Sequence, residues 1–189
     1  MDELKRRILK DGQVLKGNIL KVDSFLNHQV DSGLMRRMGE EFARRFAPLK
    51  PTKILTAEIS GIAPALQTGV VLDVPVIFAR KTRPVTMPGK VFERRVPSRT
   101  KGGETLLLVS PEYLKSTDRV VIIDDFLATG QTLNALANIV VEAHARLLAF
   151  GVVAEKVFEH GREALEEWNV PLEALVTIEK MSEGQILFR

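Results

Sequence analysis

The sequence predicts an α/β fold, a mainly parallel twisted sheet flanked by helices. Three observations carry that expectation. Strand-length apolar runs alternate with helix-length amphipathic stretches from Ser32 onward. One of the runs, Val120-Val121-Ile122-Ile123, is continuously β-branched, as suits a strand covered on both faces. The 189 residues are enough for one sizeable core and short for two.

Residues 1–31 have weak periodicity and are expected to form a separate element packed on the main domain. Leu34, Met38, Phe42 and Phe46 then recur every fourth residue until Pro48, which predicts a helix over 32–46 with Ser32 as its cap. Residues 53–57 read as a strand, 61–72 as a short helix and 75–79 as another strand. The stretch 81–103 breaks the alternation with Pro84, Pro88, Pro97, Gly89, Gly102 and Gly103, and long excursions of this kind are usually lids or disordered loops. Strands are expected at 106–109, 119–123, 147–154 and 175–179, with helices at 131–145 and 162–168.

Composition narrows the function. With no cysteine there is no disulfide, thiol nucleophile or cysteine-ligated metal, and His28, His144 and His160 are too scattered to suggest zinc. No apolar run approaches the ~18 residues of a spanning helix, and the first residues carry acids where a secretory signal would be apolar, so a cytoplasmic protein is expected. The net charge of +3 is unevenly spread: between Arg80 and Lys101 eight bases accompany the single acid Glu93, a local charge of +7, against −4 for the remainder. Positive charge concentrated in one segment suits a small polyanion better than the extended surface of nucleic acid. Gly89-Lys90 lacks the upstream glycine and the following hydroxyl of a P-loop, and no G-x-G-x-x-G occurs.

The most informative stretch runs from Val120 through Ile123 to Asp124-Asp125-Phe126-Leu127-Ala128-Thr129-Gly130-Gln131-Thr132. A buried strand delivers two carboxylates to its end, where open α/β sheets hold ligands. The loop that follows opens a helix whose N–H groups and dipole suit a phosphate. Carboxylates beside a phosphate need partners of their own, and sugar hydroxyls or a water-held Mg²⁺ supply them. The stretch resembles the signature of the type I phosphoribosyltransferases. That resemblance implies that Ala128, Thr129, Gly130, Gln131 and Thr132 take the 5-phosphate of phosphoribosyl pyrophosphate (PRPP) while Asp124 and Asp125 take the ribose, with Mg²⁺ accompanying the substrate.

Glu58-Ile59-Ser60-Gly61 follows a strand and opens a helix, and the resemblance implies a pyrophosphate loop there, with Ser60 and Gly61 as contacts and a strained or cis peptide nearby. It also implies that 81–104 is a flexible lid and that Lys81, at the end of a strand entering it, acts on the pyrophosphate. Residues 20–29, 60–65, 76–81 and 122–128 further resemble the bacterial xanthine-using members of the family, over essentially the whole chain. This implies a single domain, a hood built from residues 1–31 and the C-terminal region, a homodimer, and a purine site at Leu20, Asn27 and Lys156. Ala128 departs from the hypoxanthine-guanine relatives, which carry a carboxylate just before Thr-Gly, so no general base is assignable. Gln131 replaces the second glycine common in the signature. Xanthine is the expected base. A guanine or hypoxanthine transferase, and a ligand-binding regulator of the same fold, are the alternatives, the latter disfavoured by the confined charge.

Overall fold

Val120, Val121, Ile122 and Ile123 are fully buried, and the rest of the architecture is arranged around them. The computed structural model describes residues 1–87, 89–97, 102–182 and 185–189. In chain order its elements are α1 (Asp2–Asp11), β1 (Gln13–Leu15), β2 (Ile19–Lys21), α2 (Ser32–Phe46), β3 (Lys53–Ala57), α3 (Ile62–Leu72), β4 (Val76–Ala79), β5 (Phe92–Pro97), β6 (Glu104–Val109), β7 (Arg119–Leu127), α4 (Gln131–Glu142), β8 (Arg146–Lys156), β9 (Leu172–Ser182) and β10 (Gln185–Phe188). Six strands form the central sheet in the order β10-β9-β8-β7-β3-β4, parallel except for β10.

Period-two alternation divides the sheet's side chains between two cores. Val121 and Ile123 join Ile54, Ala149 and Val153 beneath α2 and the N-terminal segment. Val120 and Ile122 join Leu55, Phe150 and Val152 beneath α4 and the β5–β6 ribbon. Each of the larger side chains among them contributes ~1.5 to 3 kcal/mol by leaving water. From β3 the chain runs outward to β4, whereas from β7 it runs the other way through β8 to β9. The neighbours β3 and β7 therefore flank a topological switch point, with the ligand crevice of such sheets beyond their carboxyl ends.

The helix over 32–46 forms as its periodicity predicts, but its cap is Asp31, whose carboxylate accepts from the Leu34 N–H at 3.0 Å. Ser32 already has helical backbone, and Asp31, one position earlier, is extended as a cap requires. Strands β7, β8 and β9 run longer than their apolar runs, because ladder hydrogen bonds are made by the backbone whatever the side chain. The acid pair consequently lies within β7 instead of after it. α4 ends at Glu142, short of 145.

Residues 1–31 hold a helix, a hairpin and a wide turn over Asp23–Asn27. α1 buries only Leu4 and Ile8, too narrow a stripe to announce a helix, and is fastened by Arg37 gripping Glu3 at 2.7 and 2.6 Å and by the Met1 ammonium donating to the Leu175 carbonyl at 2.8 Å. Within the 81–103 stretch, β5 pairs antiparallel with β6, so six of its residues are strand. Their partner lies beyond Gly102 and Gly103, where no local pattern reveals it. Residues 88 and 98–101, Arg99 and Lys101 among them, lie outside the described residues.

Candidate active site

β7 presents Asp124 and Asp125 at the switch point. Asp124 is 7% exposed and accepts the Asp125 N–H on Oδ1 at 3.0 Å; Asp125 accepts the Phe126 N–H on its own Oδ1 at 2.8 Å. Burial first, and the neighbouring charge second, push Asp124 well above the usual carboxylate range. Burial also pushes Asp125 up, and the Lys81 ammonium draws both back. A buried carboxylate beside a half-buried one forms a site short of positive charge and hydrogen-bond donors.

Across the crevice, Gly61 begins α3 against this pair. A Cβ at Gly61 would stand 2.8 Å from Asp124 Oδ1 and collide with the Thr56 hydroxyl, so only a glycine lets the 58–61 segment approach the acid. The structure thus brings Gly61, half-buried Ser60 and Asp124 together. The peptide Glu58-Ile59 is cis, in keeping with the expectation near Ser60. Glu58, not singled out from sequence, accepts the Lys81 N–H at 2.5 Å and pairs with Arg80 Nε at 2.9 Å. Arg80 in turn exchanges backbone hydrogen bonds with Leu108 at 2.9 Å, which ties the start of the basic segment to β6.

The loop after β7 leads into α4 with Gly130 as its cap in the left-handed region, φ 80°, where other residues are strained. No side chain caps α4, so its first turn presents N–H groups and positive dipole outward. Thr129 and Gln131 are exposed and Ala128 and Thr132 half-buried beside it. Beneath the loop lies Gly161, which the sequence reading did not single out. A Cβ there would collide with the Ala128 carbonyl and stand 2.6 Å from Leu127 Cδ1.

The residues proposed for the base are spread over three elements. Leu20, 4% exposed, sits on β2; Asn27 is exposed at the end of the Asp23–Asn27 turn. Lys156, 7% exposed at the end of β8, donates to the Asn18 carbonyl at 2.7 Å and lies 5.3 Å from the centre of the Phe126 ring. Lys156 therefore joins the N-terminal hairpin to the strand ends bearing the acid pair, a link invisible in sequence because Asn18 and Lys156 are so far apart along the chain.

The family model for the phosphoribosyl transferase domain matches residues 22–173, which span the acid pair and the start of α4. The chain belongs to that family. Within it, the chain stands with the xanthine phosphoribosyltransferases: it is 55% identical to that of Deinococcus deserti over 99% of this chain and 97% of the relative, and 50% identical to that of Moorella thermoacetica over 98% and 94%. Among solved structures, the adenine phosphoribosyltransferase of Thermoanaerobacter pseudethanolicus superposes with a TM-score of 0.77 at 23% identity, covering 93% of this chain and 98% of that one. The Trypanosoma brucei adenine enzyme, solved with AMP, pyrophosphate and ribose-5-phosphate, gives 0.74 at 22% identity, covering 92% and 79%. These similarities establish the type I fold.

Proposed function

We propose that the chain transfers the 5-phosphoribosyl group of PRPP to xanthine, forming xanthosine 5'-monophosphate and pyrophosphate. The observation that carries this reading is Asp124 packed against Gly61 on the strand that leads into the open first turn of α4. Residues 128–132 hold the 5-phosphate through backbone N–H groups and the two threonine hydroxyls. The ribose hydroxyls donate to Asp124 and Asp125, supplying donors to two carboxylates that burial otherwise disfavours as anions. Ser60 and Gly61 receive the pyrophosphate, and Lys81 adds its charge as the bond from C1 to pyrophosphate lengthens. C1 develops oxocarbenium character and the base nitrogen attacks it, so the protein contributes mainly positioning and electrostatics.

Among the described residues no cluster of three His, Asp or Glu side chains is placed to cage a metal. One or two carboxylates with substrate oxygens are the donors that Mg²⁺ usually takes, so Asp124 or Asp125 fits it alongside PRPP. Bound there, Mg²⁺ supplies charge neutralisation to the pyrophosphate.

Leu20, Asn27 and Lys156 enclose the base, with residues 1–31 and the C-terminal region as the hood and 81–104 as the lid. The +7 charge of the basic segment supports a role in covering a polyanion. Exposed Ile59, Leu66, Val70, Val71 and Phe78, on α3 and beside it, support a homodimer. A cytoplasmic location completes the reading. The deciding experiment offers PRPP and Mg²⁺ with xanthine, guanine, hypoxanthine or adenine and follows nucleotide formation. Preferred use of xanthine is expected; turnover with none of the four, or preference for adenine, overturns the reading.

A further inference from the structure

Glu155 is the last residue but one of β8 and is 3% exposed, so its charge needs a partner. Arg162 supplies it as a fork, Nε to Oε1 at 2.7 Å and Nη2 to Oε2 at 2.7 Å, and its Nη1 also donates to the Leu172 carbonyl at 3.2 Å. Two parallel charge-assisted bonds fix both distance and angle. In register, Glu155 lies beside Leu127, the residue from which the loop 128–132 departs. The neighbour of Arg162 is Gly161, whose backbone touches the Ala128 carbonyl and whose own carbonyl would stand 2.8 Å from a Cβ on Gly130. At the end of the 3-10 helix Glu163–Trp168 that follows this turn, Trp168 Nε1 donates to Asn134 Oδ1 at 3.0 Å, in the first turn of α4. The turn and this short helix therefore touch the loop at its beginning and α4 just after the loop's end, and the ion pair fastens that turn to the strand between.

We propose that Glu155 and Arg162 are positioning residues for the phosphate loop: their fork holds the Gly161 turn against Ala128 and Gly130 and so sets where the open N–H groups of α4 point. The proposal rests on the reading of 128–132 as the site of the 5-phosphate. Neither residue contacts substrate; each acts through Gly161.

The test uses the full chain and the variants Arg162→Lys, Arg162→Ala and Glu155→Gln. Asp118→Asn is the control; it weakens the pair between Lys53 and Asp118, 3.0 Å apart, at the opposite end of β3 and β7. KM for PRPP, KM for xanthine, kcat, melting temperature and ribose 5-phosphate affinity by calorimetry are measured for each. Lysine keeps the charge without the fork, so Arg162→Lys should raise KM for PRPP and weaken ribose 5-phosphate about tenfold, and Arg162→Ala more, while KM for xanthine stays within about twofold. The control should melt lower without moving either constant. Unchanged PRPP and ribose 5-phosphate constants in Arg162→Lys, or an equal rise in both KM values, overturn the proposal. If the Arg162 variants do not fold, Glu155→Gln decides on the same readouts. A wild-type chain that binds no ribose 5-phosphate overturns the loop's reading together with the proposal, whereas wild-type turnover with an indifferent Arg162→Lys overturns the proposal alone.

Discussion

Gly130 and Gly161 meet backbone to backbone: a methyl on Gly130 would stand 2.8 Å from the Gly161 carbonyl oxygen, and one on Gly161 would collide with the Ala128 carbonyl. The loop 128–132 therefore rests on a second segment at a point where only hydrogen fits. Gly161→Ala must displace one of the two backbones, at ~1 to 3 kcal/mol for overpacking of this kind. A lower melting temperature and a raised KM for PRPP are expected together. Gly130→Ala adds the cost of a left-handed residue and should be the more damaging of the two. Wild-type KM in a folded Gly161→Ala protein would show that the contact does not support the loop.

The acid pair sets a trade between stability and activity. Both carboxyls are raised above their ordinary 3.8, so over the window from that value upward the folded chain keeps protons that the unfolded chain has released. Stability is then greater on the acid side and is lost as pH rises through the window. Asp124→Asn keeps an acceptor for the Asp125 N–H and removes that loss, so in metal-free buffer it should melt above wild type at neutral pH. The difference should shrink as pH is lowered towards ~4. Asp125→Asn should likewise fold, with sharply reduced turnover, because the amide lacks the charge proposed to hold sugar and metal. Equal melting of Asp124→Asn and wild type at both ends of the range, or near-normal turnover in Asp125→Asn, counts against this account.

The proposed closure over pyrophosphate can be read by proteolysis. The segment 82–102 offers Lys90, Arg94 and Arg95 to trypsin, whereas Pro84 protects Arg83, and Arg94 pairs with Glu142 of α4 at 2.6 Å. Saturating PRPP with Mg²⁺ should slow cleavage across it, while xanthine alone should not. Cleavage indifferent to PRPP would argue that the segment plays no covering role.

Base choice is tested at Asn27 and Lys156. An amide donor facing the 2-oxo group favours xanthine over guanine, whose 2-amino group is itself a donor, and a lysine donating to the 6-oxo group rejects adenine. Once a bound base covers these side chains, leaving one partner unpaired costs ~1 to 3 kcal/mol, about ten- to a hundredfold in kcat/KM. The expected order is xanthine, then guanine and hypoxanthine, with adenine inactive; Asn27→Ala should narrow the gap between xanthine and hypoxanthine. Because Lys156 already donates to the Asn18 carbonyl, Lys156→Ala should also lower the melting temperature. An unchanged base ratio in Asn27→Ala would remove that residue from the reading.

Local patterns were enough to determine the fold class, the helix over 32–46 and the acid pair with its loop. Each is written in a few consecutive residues: Leu34, Met38, Phe42 and Phe46 at helical spacing, or Val120 to Ile123 leading into Asp124, Asp125 and Gly130. Burial periodicity and turn chemistry are local properties, so a chain read in short windows reveals them. The tertiary structure alone decided what those pieces meet. It set β3 beside β7, brought Gly61 onto Asp124, laid Gly161 under Gly130, clasped Glu155 to Arg162 and tied Lys156 to Asn18. It also found β6 as the partner of β5 and revealed Asp31, not Ser32, as the cap of α2. Close backbone approach and ion pairing between distant residues leave no periodic trace, because their energy depends on where the sheet's register carries the chain.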